Sequence, residues 1–269
     1  MDKKVRIGII GCGAIGTELA LFVERGLKTR ARLYAVCDCD TDKIKTLAQK
    51  LARKLSAKTL PELIRCCDLS IECAGVPAVK PSLAAALKYR KHIIILSVGG
   101  LLNAGAAIRQ AKRRGIKVYV PSGAICGVDG AGALSLAGIK NITLTTSKPP
   151  QGLAGASYID RRGIDLSRIT KATLVFEGTV ADAVKHFPKN INVAATLELA
   201  AGVPVKVRLV ADPGIKRNIH RIKIEAEAGD ISIEVANNPS KMNPKTSALA
   251  ALSAQNLLKK ILGNFIIGS

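Results

Sequence analysis

The chain has few aromatic residues and few histidines. Aromatics are 3% of its 269 residues, tryptophan is absent, and histidine occurs three times, at His92, His186 and His220. No apolar run approaches the roughly 20 residues needed to cross a bilayer, so no membrane partner is expected. The opening stretch MDKKVRIGIIGCG passes straight into a strand-like run without a signal-peptide core, which predicts a cytoplasmic protein. None of the seven cysteines forms a CxxC pair or a Cys/His ligand spacing. They are expected to be free, with Cys37, Cys39 and Cys73 packed as small hydrophobes and no metal bound. Acidic residues are scarce, 20 against 41 Lys plus Arg, giving a net charge of +21. The basic residues are scattered over helix-like faces (KIKTLAQKLARKLSAK, RQAKRRG) and lack interleaved aromatics. That distribution predicts a solvated basic surface that steers acidic ligands, not a nucleic-acid partner.

The apolar residues themselves are well organised. In the first half, short runs rich in β-branched residues (VRIGII, RLYAVCD, LSIECA, HIIILS, IKVYV) alternate with amphipathic segments (AIGTELALFVERG, DKIKTLAQKLARKL, AVKPSLAAALKY, AGAAIRQAKRRG). Continuous apolar strands separated by helices predict a Rossmann-type, doubly wound parallel sheet over residues 1–121. The pattern changes after Pro121. NITLTTS, ATLVFEG, VKVRLVA, IHRIKIEAEA and DISIEVA alternate apolar and polar residues, as a sheet with one wet face does. Residues 122–243 therefore read as a second, α+β domain with a largely antiparallel sheet, a substrate and dimerisation domain. Short helices near VADAVKHF and VAATLELA are expected to cover its dry face. A final amphipathic helix, 244–269, begins at Asn243-Pro244 and is expected to pack back on the first domain.

Gly11-Cys12-Gly13-Ala14-Ile15-Gly16 is a GxGxxG that directly follows a strand and opens a helix. In that setting Gly11 permits the tight turn, Gly13 lets the backbone approach a pyrophosphate, and Gly16 lets helix and strand pack closely. The helix N-terminus at Ala14 and Ile15 adds NH groups and the positive end of a dipole. The second strand ends in Asp38, at the separation expected for an acid that binds the adenosine ribose. Ala74, at the end of LSIECA, is a further cofactor-side candidate. A carboxylate at position 38 favours NAD over NADP, but Lys43 and Lys45 nearby leave both open.

Removal of hydride from a carbon bearing an amine or hydroxyl requires a base for the heteroatom proton, and histidine is suited to this near neutral pH. His220 follows a Pro-Gly turn at the start of an alternating strand, and Asn218 falls on the same face. The residues alone leave His220 as either a catalytic or a structural histidine. His92 opens a buried strand and His186 lies in a short helix, and neither position suggests chemistry.

Taken together, GCGAIGTELA, VPSGAICGVDG, FPKNINVAATLELAAG, DPGIKRNIHRIKIEAEAG and NNPSKMNPKTSALAALSAQNLL resemble the L-aspartate dehydrogenase family over nearly the whole chain. The resemblance implies NAD(P)-dependent oxidative deamination of L-aspartate to iminoaspartate, then oxaloacetate and ammonia, feeding NAD biosynthesis. It also implies His220 as the active-site histidine, Ala124 and Asn190 as cofactor contacts, and a homodimer. For the substrate, Asn218 and Lys245 are candidates, together with the NH groups opening the last helix. A dihydrodipicolinate-reductase-like enzyme would call for a paired-histidine motif, and no His-His occurs. A dinucleotide-sensing regulator that binds nucleic acid would need a recognition helix or basic arm, and neither is evident.

Overall fold

A computed structural model describes residues 4–187, 192–243 and 246–268. The chain forms two compact units, Met1–Pro121 with Ala251–Ile266, and Ser122–Ala250 with Ile267–Ser269.

The first unit holds five strands, β1 (Val5–Ile10), β2 (Ala31–Cys37), β3 (Leu69–Glu72), β4 (His92–Ile95) and β5 (Val118–Tyr119), in the order β2-β1-β3-β4-β5. Every pairing is parallel. Helices α1 (Ala14–Gly26), α2 (Thr41–Leu51), α3 (Leu60–Cys66), α4 (Val76–Tyr89) and α5 (Gly105–Arg113) connect them. The reversal of strand order at β1 and β3 is the switch point beyond which open α/β sheets bind ligands. β3 is buried along its whole length, as expected for a strand covered on both faces. The short helix α3 was not evident from periodicity. Its signal is a capping box, in which Glu62 Oε2 accepts from Thr59 N at 3.1 Å and from Thr59 Oγ1 at 2.7 Å.

The second unit contains α6 (Val128–Ser135), β6 (Ile139–Lys148), α7 (Ser157–Arg161), β7 (Thr173–Thr179), α8 (Val180–His186), α9 (Asn192–Ala201), β8 (Lys206–Ala211), β9 (Ile219–Ala226) and β10 (Gly229–Ala236). Its sheet runs β10-β9-β6-β8-β7. Only β6 and β8 pair in parallel; the other pairings are antiparallel. β9 alternates strictly, with His220, Ile222, Ile224 and Ala226 buried and Arg221, Lys223 and Glu225 exposed. Arg221 reaches Glu234 at 2.6 Å on the wet face. α6 packs against β9 and α8 against β7 and β8, while α9 packs against α6 and α8 and buries Ala194, Ala195 and Leu197.

The last helix, α10, spans Ala248–Ile261, shorter at both ends than the 244–269 expected. Its apolar stripe ends with Leu258, Ile261 and Leu262, and a side chain at Gly263 would meet the Lys259 carbonyl at 2.7 Å. Ala254 and Leu258 are buried in the core of the first unit with Ile7, Leu19, Val23 and Leu33. Of the cysteines expected to pack as small hydrophobes, Cys37 and Cys73 are half-buried and Cys39 is exposed; of the others, Cys12 and Cys67 are buried and Cys126 is exposed. Cys39 follows β2 instead of lying within it. Among the described residues no three His, Cys, Asp or Glu side chains gather as a metal site.

Candidate active site

The glycine loop fits a dinucleotide. Gly11 has φ +99, a left-handed conformation that suits glycine, and a Cβ there would meet Ala74 N at 2.7 Å. A Cβ at Gly16 would collide with the Gly11 carbonyl, so α1 can lie this close to the turn only with glycine in place. At Gly13 a Cβ would meet nothing within 4 Å. That open space, at the N-cap of α1, is what close approach of a pyrophosphate requires.

Asp38 Oδ2 accepts from Cys12 N at 2.6 Å, and its Oδ1 accepts from Asp40 N at 2.9 Å. Partial burial raises the Asp38 pKa, but these backbone donors and nearby Lys43 outweigh it and leave the net shift downward. The carboxylate is ionised, ties the end of β2 to the glycine loop, and keeps lone pairs for further donors.

Glu72, at the end of β3, is 0% exposed. It accepts from Ala74 N at 2.9 Å, Gly75 N at 3.0 Å, and Ser97 Oγ and N at 2.9 and 3.1 Å. Burial pushes its carboxyl up against the lowering effect of these donors. One side chain thus fixes the turns after β3 and β4, including Ala74. Nothing in the periodicity singles it out, although a Glu ending an otherwise apolar strand is a usable signal.

In the second unit His220 is 6% exposed on the dry face of β9. Its Nδ1 lies 2.9 Å from Thr146 Oγ1, and the two residues are direct cross-strand partners. Burial, then the charge of Lys148, lowers the imidazole pKa to about 4, so the ring is neutral at neutral pH. Sequence reasoning placed Asn218 beside the ring; the residue bonded to the ring is Thr146, which it missed. Thr146 becomes identifiable only once β6 and β9 are in register.

Two residues beyond this pair the sheet turns polar. Lys148 ends β6, Asn218 precedes β9, and Asn237 follows β10, with Asn237 N donating to Asn218 O at 2.8 Å. All three line a cavity of about 750 Å³ with Lys216, Arg217 and Ser247. Asn237 Nδ2 also donates to Ala124 O at 2.9 Å, and Ser247 Oγ donates to Asn237 Oδ1. The loop carrying Ala124 is thereby fixed to the cavity wall. His186 bonds Arg161 at 3.0 Å within a cluster of Tyr158, Phe176 and Phe187, and His92 Nδ1 accepts from Lys117 N. Both have structural partners.

Residues 129–261 match the family model described as aspartate dehydrogenase, C-terminal, and residues 11–121 match that of the homoserine dehydrogenase NAD binding domain. The chain is 45% identical to an L-aspartate dehydrogenase of Methanosarcina mazei, over 98% of this chain and 100% of the relative. It belongs to the L-aspartate dehydrogenase family. The relative from Methanosarcina barkeri, also an L-aspartate dehydrogenase, is 44% identical over the same shares. The crystal structure of an aspartate dehydrogenase from Thermotoga maritima superposes with a TM-score of 0.79 at 28% identity, covering 99% of this chain and all of the other. A scyllo-inositol dehydrogenase from Lactobacillus casei, 15% identical with a TM-score of 0.58 over 100% of this chain and 91% of the other, shares the fold alone.

In this family member His220, Asn218 and Ala124 belong to the second unit, and Gly11, Gly13, Ala14, Ile15, Gly16, Asp38 and Ala74 to the first. Asn190 and Lys245 lie outside the described residues.

Proposed function

We propose that this protein oxidatively deaminates L-aspartate with NAD or NADP and that His220 handles the protons of the reaction. The observation that carries the reading is a buried, neutral imidazole held at Nδ1 by Thr146, in a chain of the L-aspartate dehydrogenase family. Gly11, Gly13, Ala14, Ile15 and Gly16 would hold the pyrophosphate and Asp38 the adenosine ribose, with Ala74, Ala124 and Asn190 as further contacts. When bound, the nicotinamide supplies the hydride acceptor.

The substrate amine must be neutral before its carbon gives up hydride. Thr146 occupies Nδ1 of His220, which leaves Nε2 to take the amine proton; that role requires the tautomer in which Nδ1–H donates to Thr146 Oγ1. Because the ring is neutral at neutral pH, the accepting lone pair is present without prior deprotonation. Once that proton has been released to solvent, the same nitrogen takes a proton from the water that adds to the imine carbon and hands it to the amine nitrogen. The hydroxyl proton is lost as the C–N bond breaks to give oxaloacetate and ammonia.

The reading extends to a cytoplasmic homodimer whose iminoaspartate feeds quinolinate formation in NAD biosynthesis. The deciding experiment is a screen of amino and hydroxy acids with NAD⁺ and NADP⁺, followed by reduced-cofactor absorbance. L-Aspartate is expected to give the strongest signal; turnover of a different acid with none of L-aspartate would overturn the assignment.

A further inference from the structure

We propose that Glu72 makes the dinucleotide site prefer the oxidised cofactor to the reduced one, by fixing a negative charge among the turns on its nicotinamide side. The inference concerns the redox form that is held, and it rests on dinucleotide binding alone, not on the identity of the substrate. The strand order β2-β1-β3-β4 supplies the placement. Asp38 follows β2 and the glycine loop follows β1. With the adenosine ribose assigned to Asp38 and the pyrophosphate to the loop, the side left for the nicotinamide half is that of β3 and β4. The turn after β3 abuts the loop directly. A Cβ at Gly11 would meet Ala74 N at 2.7 Å and the carbonyl carbon of Cys73 at 2.8 Å, and Cys73 Sγ donates to Gly11 O at 3.2 Å.

Glu72 ties this turn to the one after β4, and every group bonded to its carboxylate is an uncharged donor. These are the backbone N–H groups of Ala74, Gly75 and Ser97 and the Ser97 hydroxyl. Three backbone N–H groups aimed at its oxygens favour the carboxylate over the acid. Among the described residues no ion pair includes it. The charge is therefore solvated by dipoles and not neutralised by a cation, a rare state for a fully buried glutamate. Burial raises its pKa despite the donors, the mark of a charge still short of compensation. The oxidised cofactor brings the missing cation: the nicotinamide ring is positive before it accepts hydride and neutral afterwards. A fixed carboxylate on that side holds NAD⁺ more firmly than NADH, which favours release of the reduced product.

The test is calorimetric titration of wild type, Glu72→Gln and Ser97→Ala with NAD⁺, NADH and ADP-ribose, which lacks the ring. ADP-ribose reports any disturbance of the turns and so separates shape from charge. Glu72→Gln is expected to weaken NAD⁺ relative to NADH about 3- to 10-fold, the scale of one partly screened charge. Ser97→Ala removes one donor and keeps the charge, so it should shift all three ligands together. Equal loss of NAD⁺ and NADH in Glu72→Gln overturns the proposal. Thermal melts show whether the variants are folded. Should Glu72→Gln fail to fold, wild type decides: tighter binding of NAD⁺ than of NADH supports the proposal, and the reverse order overturns it. Failure of wild type to bind any of the three ligands would remove the dinucleotide site itself, and the proposal with it.

Discussion

Thr146 Oγ1 and His220 Nδ1 lie 2.9 Å apart as a cross-strand pair, buried on the dry face of the second sheet. The bond holds the ring by Nδ1 and leaves Nε2 for the proton transfer proposed above. Thr146→Val keeps the shape and removes the bond. It should lower kcat about 5- to 10-fold, as expected for loss of roughly 1 kcal/mol of orienting interaction, with little change in cofactor affinity. Steady-state kinetics with L-aspartate and an NAD titration check this, and an unchanged kcat would show that the hydroxyl does not orient the ring.

Replacing the histidines one at a time separates chemistry from structure. His220→Ala should depress kcat about 10²- to 10⁴-fold with NAD affinity nearly intact. His92→Ala and His186→Ala should leave kcat near that of wild type in folded protein, since one accepts from Lys117 N and the other sits in an aromatic cluster. Near-normal turnover in His220→Ala would make it a structural histidine.

His220 also predicts a pH dependence of stability. Its pKa is about 4 in the folded protein against 6.5 for the free side chain, so between these values the unfolded chain binds the extra proton. Stability therefore falls as pH drops from 6.5 to 4, by roughly 3 kcal/mol at about 1.4 kcal/mol per pH unit. Lys148 does not contribute in this window, because its pKa of about 8 and its free value both lie above it. Urea unfolding of wild type and His220→Gln across this range should show a steeper acid loss in wild type; equal slopes would mean the imidazole charges freely in the fold.

The glycine loop separates two requirements. Gly16→Ala would place a methyl against the Gly11 carbonyl and should lower the melting temperature as well as abolish cofactor binding. Gly13→Ala meets nothing in the protein, so it should fold normally and lose NAD affinity alone. Thermal melts with and without NAD distinguish the two, and equal behaviour of the variants would contradict the assignment.

Asp38→Ala removes the acceptor for Cys12 N and the carboxylate proposed for the ribose. NAD affinity should fall and the gap between NAD and NADP should narrow. Titrations with both cofactors measure this, and unchanged affinities would show that Asp38 serves the loop only.

The sequence conveyed most of this fold because its periods were clean. β9 alternates without exception and α1 matches its expected span residue for residue. The glycine motif was legible because the constraints on Gly11 and Gly16 lie within a few residues or one strand away, while Gly13 stands in open space at the N-cap of α1. What stayed hidden depends on register. Thr146 and Lys148 acquire meaning only when β6 lies beside β9, and Asn237 only when the chain after β10 returns to Ala124. Helix α3 was missed because seven residues are too few for a period to show, and its capping box was the available clue. The end of α10 was misplaced because apolar Phe265, Ile266 and Ile267 continue past the helix while remaining exposed.

The membership of Ala254 and Leu258 in the core around β1 and α1 bears on biosynthesis. The ribosome completes β5 and must add roughly 130 further residues before these two emerge, on the order of ten seconds at ~5–20 residues per second. During that interval the nascent first unit has an open apolar strip where α10 will dock, beside Leu19, Val23 and Leu33. Its last packing event therefore waits for nearly the whole chain, and truncation within α10 damages the amino-terminal unit, not just the carboxyl end.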